Sequence, residues 1–135
     1  LFESGAEFSR CRTWRYRLWR RWGDGPLLMV IGLNPSTADE THDDPTVRRC
    51  IGYARRWGFG GLMMTNVFAF RATDPRDLRR APDPYGPRHL PRLRETAREV
   101  LEDGGAVLAA HDRDNPSEST AHSSSIGMGF DSIIA

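Results

Sequence analysis

The sequence predicts an α/β fold: a three-layer α/β/α sandwich in which helices cover both faces of a mostly parallel sheet. Short apolar segments at 27–33, 62–70 and 106–110 are typical of strands buried on both faces. Two segments with helical apolar spacing, at 45–57 and 90–101, separate these strands. Strands and helices that alternate in this order favour parallel strands joined by crossover helices.

A further strand is expected ahead of these elements, at 11–19, where apolar and polar residues alternate. Its apolar face includes Tyr16 and Leu18. Its other face includes Arg15 and Arg17, and we expect that basic face to be in water.

Cap residues mark the starts of the helices. Asp44 followed by Pro45 is typical of an N-cap and a first helical residue. Asp74 and Pro75 have the same order and predict a short helix that ends near Arg80. Glycines follow both longer helices, as they commonly do at helix C-termini.

Composition limits the organisation and the class of protein. The chain has 135 residues, a formal net charge of +1, and arginine at all 19 of its basic positions. We expect one α/β domain over residues 1–110, followed at 111–135 by a polar, serine-rich tail that is disordered or non-native. The longest apolar run is too short to span a bilayer, and no secretory signal is visible, which predicts a cytoplasmic protein without a membrane partner.

The loop after the first buried strand is the most informative candidate site. Ligands of open α/β sheets bind beyond the carboxyl ends of the strands, and this loop carries Asn34, Ser36, Thr37 and Asp39. Their amide, hydroxyl and carboxylate groups could bind a ligand. Equally, they could satisfy local backbone groups in a strand-to-helix turn.

Charged residues at the start of the next helix form the second candidate. Arg48 and Arg49 lie in its first turn, where the helix dipole disfavours cations by about 0.3–1 kcal/mol each. Pairing with Asp39, Asp43 or Asp44 would offset this cost, and so would a bound anion such as phosphate. The spacing of these carboxylates is weak evidence for a metal, so we predict no metal and no cofactor.

A polar residue interrupts the second buried strand. An unpaired amide there would cost about 1–3 kcal/mol, so Asn66 must have partners, either in the Asn34 loop or in a ligand. Arg71 follows the same strand and would lie on the same edge. Residues 10–21 carry arginines interleaved with aromatics, a pattern that fits a nucleic-acid backbone or a charge-protected edge strand.

Five segments resemble the bacterial family called domain of unknown function 1643 over roughly residues 8–110. They are Tyr16-Arg-Leu-Trp-Arg-Arg-Trp22, Leu33-Asn-Pro-Ser-Thr-Ala-Asp39, Asp43-Asp-Pro-Thr-Val-Arg-Arg-Cys50, Trp57-Gly-Phe-Gly-Gly61 and Asn66-Val-Phe-Ala-Phe-Arg-Ala-Thr-Asp-Pro75. Family members have a Trp-Gly pair after the third buried strand and a late His-Pro-Leu motif. His111-Asp112 follows here instead, which leads to the hypothesis that the chain is truncated or frame-shifted after Ala110.

A more distant resemblance links Gly32-Leu-Asn-Pro-Ser36 to the first active-site motif of mismatch-specific uracil/thymine DNA glycosylases. It implies a uracil-DNA-glycosylase-like fold, incomplete at the C-terminus, in which Asn34 positions a water against the sugar carbon of a flipped base. Asn66 would contact the base. Ser36 stands where those enzymes have glycine, and their late histidine loop is missing.

The resemblance and the candidate residues together give one functional hypothesis. A pocket at the carboxyl ends of the strands binds a nucleobase, nucleotide or nucleic acid and hydrolyses an N-glycosidic bond, with this chain impaired. The catalytic residue is Asn34, and the ligand-binding residues are Ser36, Thr37, Asp39, Asp44, Arg48, Arg49, Asn66 and Arg71. The alternatives are a non-catalytic nucleic-acid or phosphate-binding module and a purely structural role for the charged clusters.

Overall fold

The structure is a computed structural model that describes residues 2–110, so the predictions for 111–135 lie outside the described residues. Five strands and three helices follow one another along this part of the chain. They are β1 (Glu3–Phe8), β2 (Arg15–Arg21), β3 (Leu27–Gly32), α1 (Pro45–Arg56), β4 (Gly61–Asn66), α2 (Pro75–Arg80), α3 (His89–Glu102) and β5 (Ala106–Ala109).

The strands form one mixed sheet in the order β1-β2-β4-β3-β5. β3 lies at the centre of a parallel unit, because both β4 and β5 pair with it in parallel. β2 runs antiparallel to β4, and β1 antiparallel to β2. The sheet is therefore mixed, with two parallel and two antiparallel pairings, and the predicted parallel arrangement holds for β3, β4 and β5. β1 was not predicted, and β2 lies inside the sheet rather than at its edge.

Both predicted Asp-Pro helix starts are confirmed. Asp44 caps α1 by accepting a hydrogen bond from the Val47 backbone N–H, and Asp74 caps α2 through the Arg76 N–H. The apolar stripe of α1 packs on the sheet in the main core. The buried members of that core are Leu18, Leu28, Val30, Ala38, Val47, Cys50, Ala54, Leu62, Met64 and Leu108.

The alternation predicted for β2 breaks at a β-bulge. Glu7 pairs with Arg17 and Phe8 with Arg15, so Tyr16 has no partner in β1. As a result Tyr16 and Arg17, although consecutive, both contact α3. The Tyr16 ring lies under the Arg92 guanidinium, and Arg17 donates to the Thr96 hydroxyl.

The expectation of a water-exposed basic face on β2 is wrong. Arg15 is only 2% exposed, and the Arg17 side chain is 33% exposed and contacts α3. Arg20, which lies on the same face as Leu18, is also only 2% exposed. Arg20 forms an ion pair with Asp43, with 2.8 Å between Nε and Oδ1, and donates to the backbone carbonyls of Asp39 and His42. Arg20 therefore holds the 39–43 loop against the sheet.

The second buried strand is shorter than predicted. β4 ends at Asn66, and Phe70 instead forms an isolated antiparallel bridge with Trp14. Within residues 2–110, no helix has both the length and the apolar character needed to cross a membrane.

Candidate functional site

A cavity of about 300 Å³ lies beyond the carboxyl ends of the parallel strands β3 and β4. Gly32 and Asn66 are paired at the ends of these strands, so the two following loops leave the sheet side by side. The polar side chains that line the cavity are those of Arg15, Asn34, Ser36, Asp44, Thr46, Asn66 and Thr73. Four of the nine predicted site residues thus meet in one place: Asn34, Ser36, Asp44 and Asn66.

Asn34 is held in one orientation by its amide N–H groups. Nδ2 donates to the backbone carbonyl of Ala72 at 2.8 Å and to that of Pro35 at 3.1 Å. Both donors are then used, and within residues 2–110 Oδ1 accepts no hydrogen bond. The loop therefore presents Asn34 as a half-buried hydrogen-bond acceptor.

Asn66 is 2% exposed, and both its side chain and its backbone carbonyl accept hydrogen bonds. Its Oδ1 accepts a hydrogen bond from Arg15 Nη2 at 3.2 Å, and its backbone carbonyl accepts one from His89 Nε2 at 2.6 Å. Gly32 gives the amide room, because a Cβ at that position would lie 3.0 Å from Asn66 Nδ2. The partners of Asn66 differ from those expected, since the bond to its side chain comes from β2 rather than from the Asn34 loop.

Asp44 joins the Asn34 loop to α1. Oδ1 accepts from the Val47 N–H at 2.9 Å, and Oδ2 accepts from the Ala38 N–H at 3.4 Å. The carboxylate is 8% exposed. Asp44 is thus both a helix cap and part of the cavity wall.

Four of the other predicted residues lie elsewhere. Thr37 is exposed, and Arg48 is exposed and donates to the backbone carbonyl of Asp43 at 2.8 Å. Arg49 is exposed on α1. Asp39 accepts from the backbone N–H groups of Thr41 and His42, and these bonds hold the pKa of its carboxyl well below its usual range.

Arg71 lines a second, larger cavity of about 750 Å³. This cavity shares Ser36, Ala72 and Thr73 with the smaller one, so the two are neighbours. Arg71 donates to the backbone carbonyls of Ser36 and Arg12, which links the β4 loop to the segment before β2. It lies on the predicted edge of the sheet but not in the cavity with the two asparagines.

Two cavity residues, Arg15 and Thr46, were not predicted from the sequence, whereas Thr73 was expected with Arg71 at this edge of the sheet and does line the cavity. Arg15 reaches the cavity because the bulge turns it towards Asn66, and a strict alternation of faces gives no signal for that. Burial lowers the pKa of Arg15 to about 10, an effect that Asp44 partly opposes. The guanidinium is therefore a buried cation at neutral pH.

The arginine-rich segment at 10–21 does not form an open basic surface. Arg12 forms an ion pair with Glu40 at 2.8 Å, and Arg17 forms one with Glu7 at 3.4 Å. Arg21 donates to the backbone carbonyls of Gly23 and Gly25. Together with the buried Arg15 and Arg20, most arginines of this segment hold the fold together.

Neither the curated proteins nor the solved structures include a match to this chain. One family model, described as "Protein of unknown function (DUF1643)", matches residues 15–124. The match extends past Ala110, where the resemblance was expected to end, and the hypothesis of a truncation or frame shift stays a prediction. Since the matched region contains both asparagines of the cavity and most of the chain, this protein belongs to the DUF1643 family.

Proposed function

We propose that the cavity between the β3 and β4 loops binds a nucleobase and that the protein hydrolyses an N-glycosidic bond. The observation that carries the proposal is the shared position of Asn34 and Asn66 at the carboxyl ends of two parallel strands. Together the two amides can recognise the hydrogen-bonding edge of a base, because within residues 2–110 Asn34 keeps its acceptor Oδ1 and Asn66 keeps its donor Nδ2. The cavity lies at the lower end of the roughly 300–1,000 Å³ typical of ligand pockets, which suits a small planar group.

Asn34 has the geometry to position a water molecule. Its N–H groups are bound to Ala72 and Pro35, so its Oδ1 can accept a hydrogen from water. In the proposed step the water oxygen bonds to the sugar carbon and the carbon–nitrogen bond breaks. The base leaves with the electron pair, and the water proton passes to the base or to solvent. Asn66 would bind the departing base.

The fold we propose is the uracil-DNA-glycosylase-like three-layer sandwich. Contacts on both faces of β2 support it. Leu18 packs with residues of α1 on one face, and Arg17 contacts α3 on the other, so helices cover both faces of the sheet. The loop after β3 holds the asparagine that the glycosylase resemblance implies.

A non-catalytic binding module is the second candidate. Asp44 is the carboxylate among the described residues that line the smaller cavity, and both its oxygens accept backbone N–H bonds. A carboxylate used in this way is a weak general base, which favours binding without hydrolysis.

Base release from DNA containing uracil, mismatched thymine or deaminated purines tests the catalytic proposal. We expect slow release by the wild type, because this chain is predicted to be impaired, and a further loss of at least about 100-fold for Asn34→Ala, the scale of removing one positioned group. The matched control is Glu102→Gln, an exposed change at the end of α3. Binding of free bases without release from any substrate would favour the binding module, and no binding at all would refute both.

A further inference from the structure

The side chain of Arg15 differs from the other buried arginine of β2. Arg20 is equally buried, but its charge is balanced by Asp43 at 2.8 Å. Arg15 forms no ion pair with a carboxylate among residues 2–110. Burying a charge without a partner costs free energy, and a ligand in the cavity that pairs with Arg15 would offset that cost.

Most hydrogen-bonding capacity of Arg15 is unused. A guanidinium has five N–H donors, and Arg15 uses two: one to the Ala38 carbonyl and one to Asn66 Oδ1, both at 3.2 Å. Nε is buried and has no hydrogen-bond partner among the described residues. Arg15 therefore lines the cavity with a charged group, three of whose five N–H donors have no partner among the described residues.

We propose that Arg15 is the anion receptor of the cavity and that the ligand is a nucleotide whose phosphate it binds. This inference rests on the proposed function, because it adds a charge requirement to a nucleobase pocket. A guanidinium binds phosphate through two parallel N–H bonds, and Nε with a neighbouring Nη forms one such pair of donors.

The charges around Arg15 leave room for an anion. Asp44 is the largest of the charges that act on Arg15 and stabilises its cation, and the like charges of Arg71 and Arg20 act against it. Asp44 is already bonded to two backbone N–H groups. The neighbouring larger cavity, which shares Ser36, Ala72 and Thr73, gives room for the part of the ligand that the smaller one does not hold.

The inference is tested by measuring dissociation constants by calorimetry. Each nucleoside is compared with its own 5′-monophosphate, and inorganic phosphate is the third probe. We expect the wild type to bind the best monophosphate at least about tenfold tighter than its nucleoside, since hydrogen bonds to charged groups are strong. Arg15→Gln should abolish this preference, and Arg15→Lys should retain part of it. Arg20→Gln, an equally buried change on the same strand outside this cavity, should keep the preference even if it lowers stability.

Equal affinity of the wild type for nucleosides and monophosphates would overturn the anion receptor and leave the nucleobase pocket intact. Failure of all nucleosides and monophosphates to bind would overturn both. Tight binding of inorganic phosphate alone would support the receptor but contradict the nucleobase pocket. Because the main comparison uses the wild type, the test stands even if Arg15→Gln does not fold.

Discussion

Replacing Asp44 by alanine should destabilise the domain more than replacing the equivalent cap of α2. Asp44 bonds two backbone N–H groups, those of Val47 and Ala38, and Ala38 is 1% exposed. Loss of the cap costs about 1 kcal/mol, and an unpartnered buried N–H costs about 1–3 kcal/mol. The Ala38 bond is long at 3.4 Å, which places the total at about 2–3 kcal/mol.

Asp74→Ala is the matched control, because it also removes an aspartate that caps a helix starting with proline. Its helix has six residues and no buried side chain, so we expect a loss of about 0.5–1 kcal/mol. Asp44→Asn should keep the cap and lose mainly the Ala38 bond, with a cost near 1 kcal/mol. Urea denaturation followed by circular dichroism measures all three. Equal losses for Asp44→Ala and Asp74→Ala would refute the double role of Asp44.

Two further predictions concern glycines and cysteines. Gly52→Ala should stabilise the domain by about 0.5–1 kcal/mol, because the position is helical and open. Gly60→Ala should destabilise it, since a Cβ there would lie 2.4 Å from the Gly25 backbone. Thermal denaturation measures both, and a shift of the melting temperature in the same direction for the two variants would contradict this. Hydrogen bonds from neighbouring hydroxyl groups lower the pKa of the exposed Cys11 to about 7, and burial raises that of Cys50 to about 12. Alkylation followed by mass spectrometry should therefore modify Cys11 with half-maximal rate near pH 7 and spare Cys50 in the folded protein, and modification of both at equal rates would be inconsistent with the structure.

Local signals predicted the helices well because the responsible interactions are close in sequence. The caps at Asp44 and Asp74 each bond an N–H two or three residues away, so the residue types alone indicate them. The buried strands β3, β4 and β5 were recognisable as short apolar runs. β1 was missed because Glu3–Phe8 contains glycine and two glutamates, which are poor strand formers. It becomes a strand by pairing with β2.

The position of the cavity was predictable, but the origin of its charge was not. Parallel strands bring their carboxyl ends to one edge of the sheet, so Asn34 and Asn66 could be placed together from strand order alone. From the sequence, the cation was expected to be Arg48 or Arg49, at the start of the helix that follows that edge along the chain. In the structure Arg48 is exposed, and Arg15 occupies the cavity wall.

Arg15 reaches the cavity because β2 contains one inserted residue. Without the bulge at Tyr16, strict alternation from Leu18 would place Arg15 on the face of α3, away from Asn66. With the bulge, Arg15 reaches Asn66 and Ala38, 51 and 23 residues further along the chain. Contacts over such separations depend on strand register, which pairing with β1 sets. β1, the strand that was not predicted, therefore helps to determine which arginine lines the cavity.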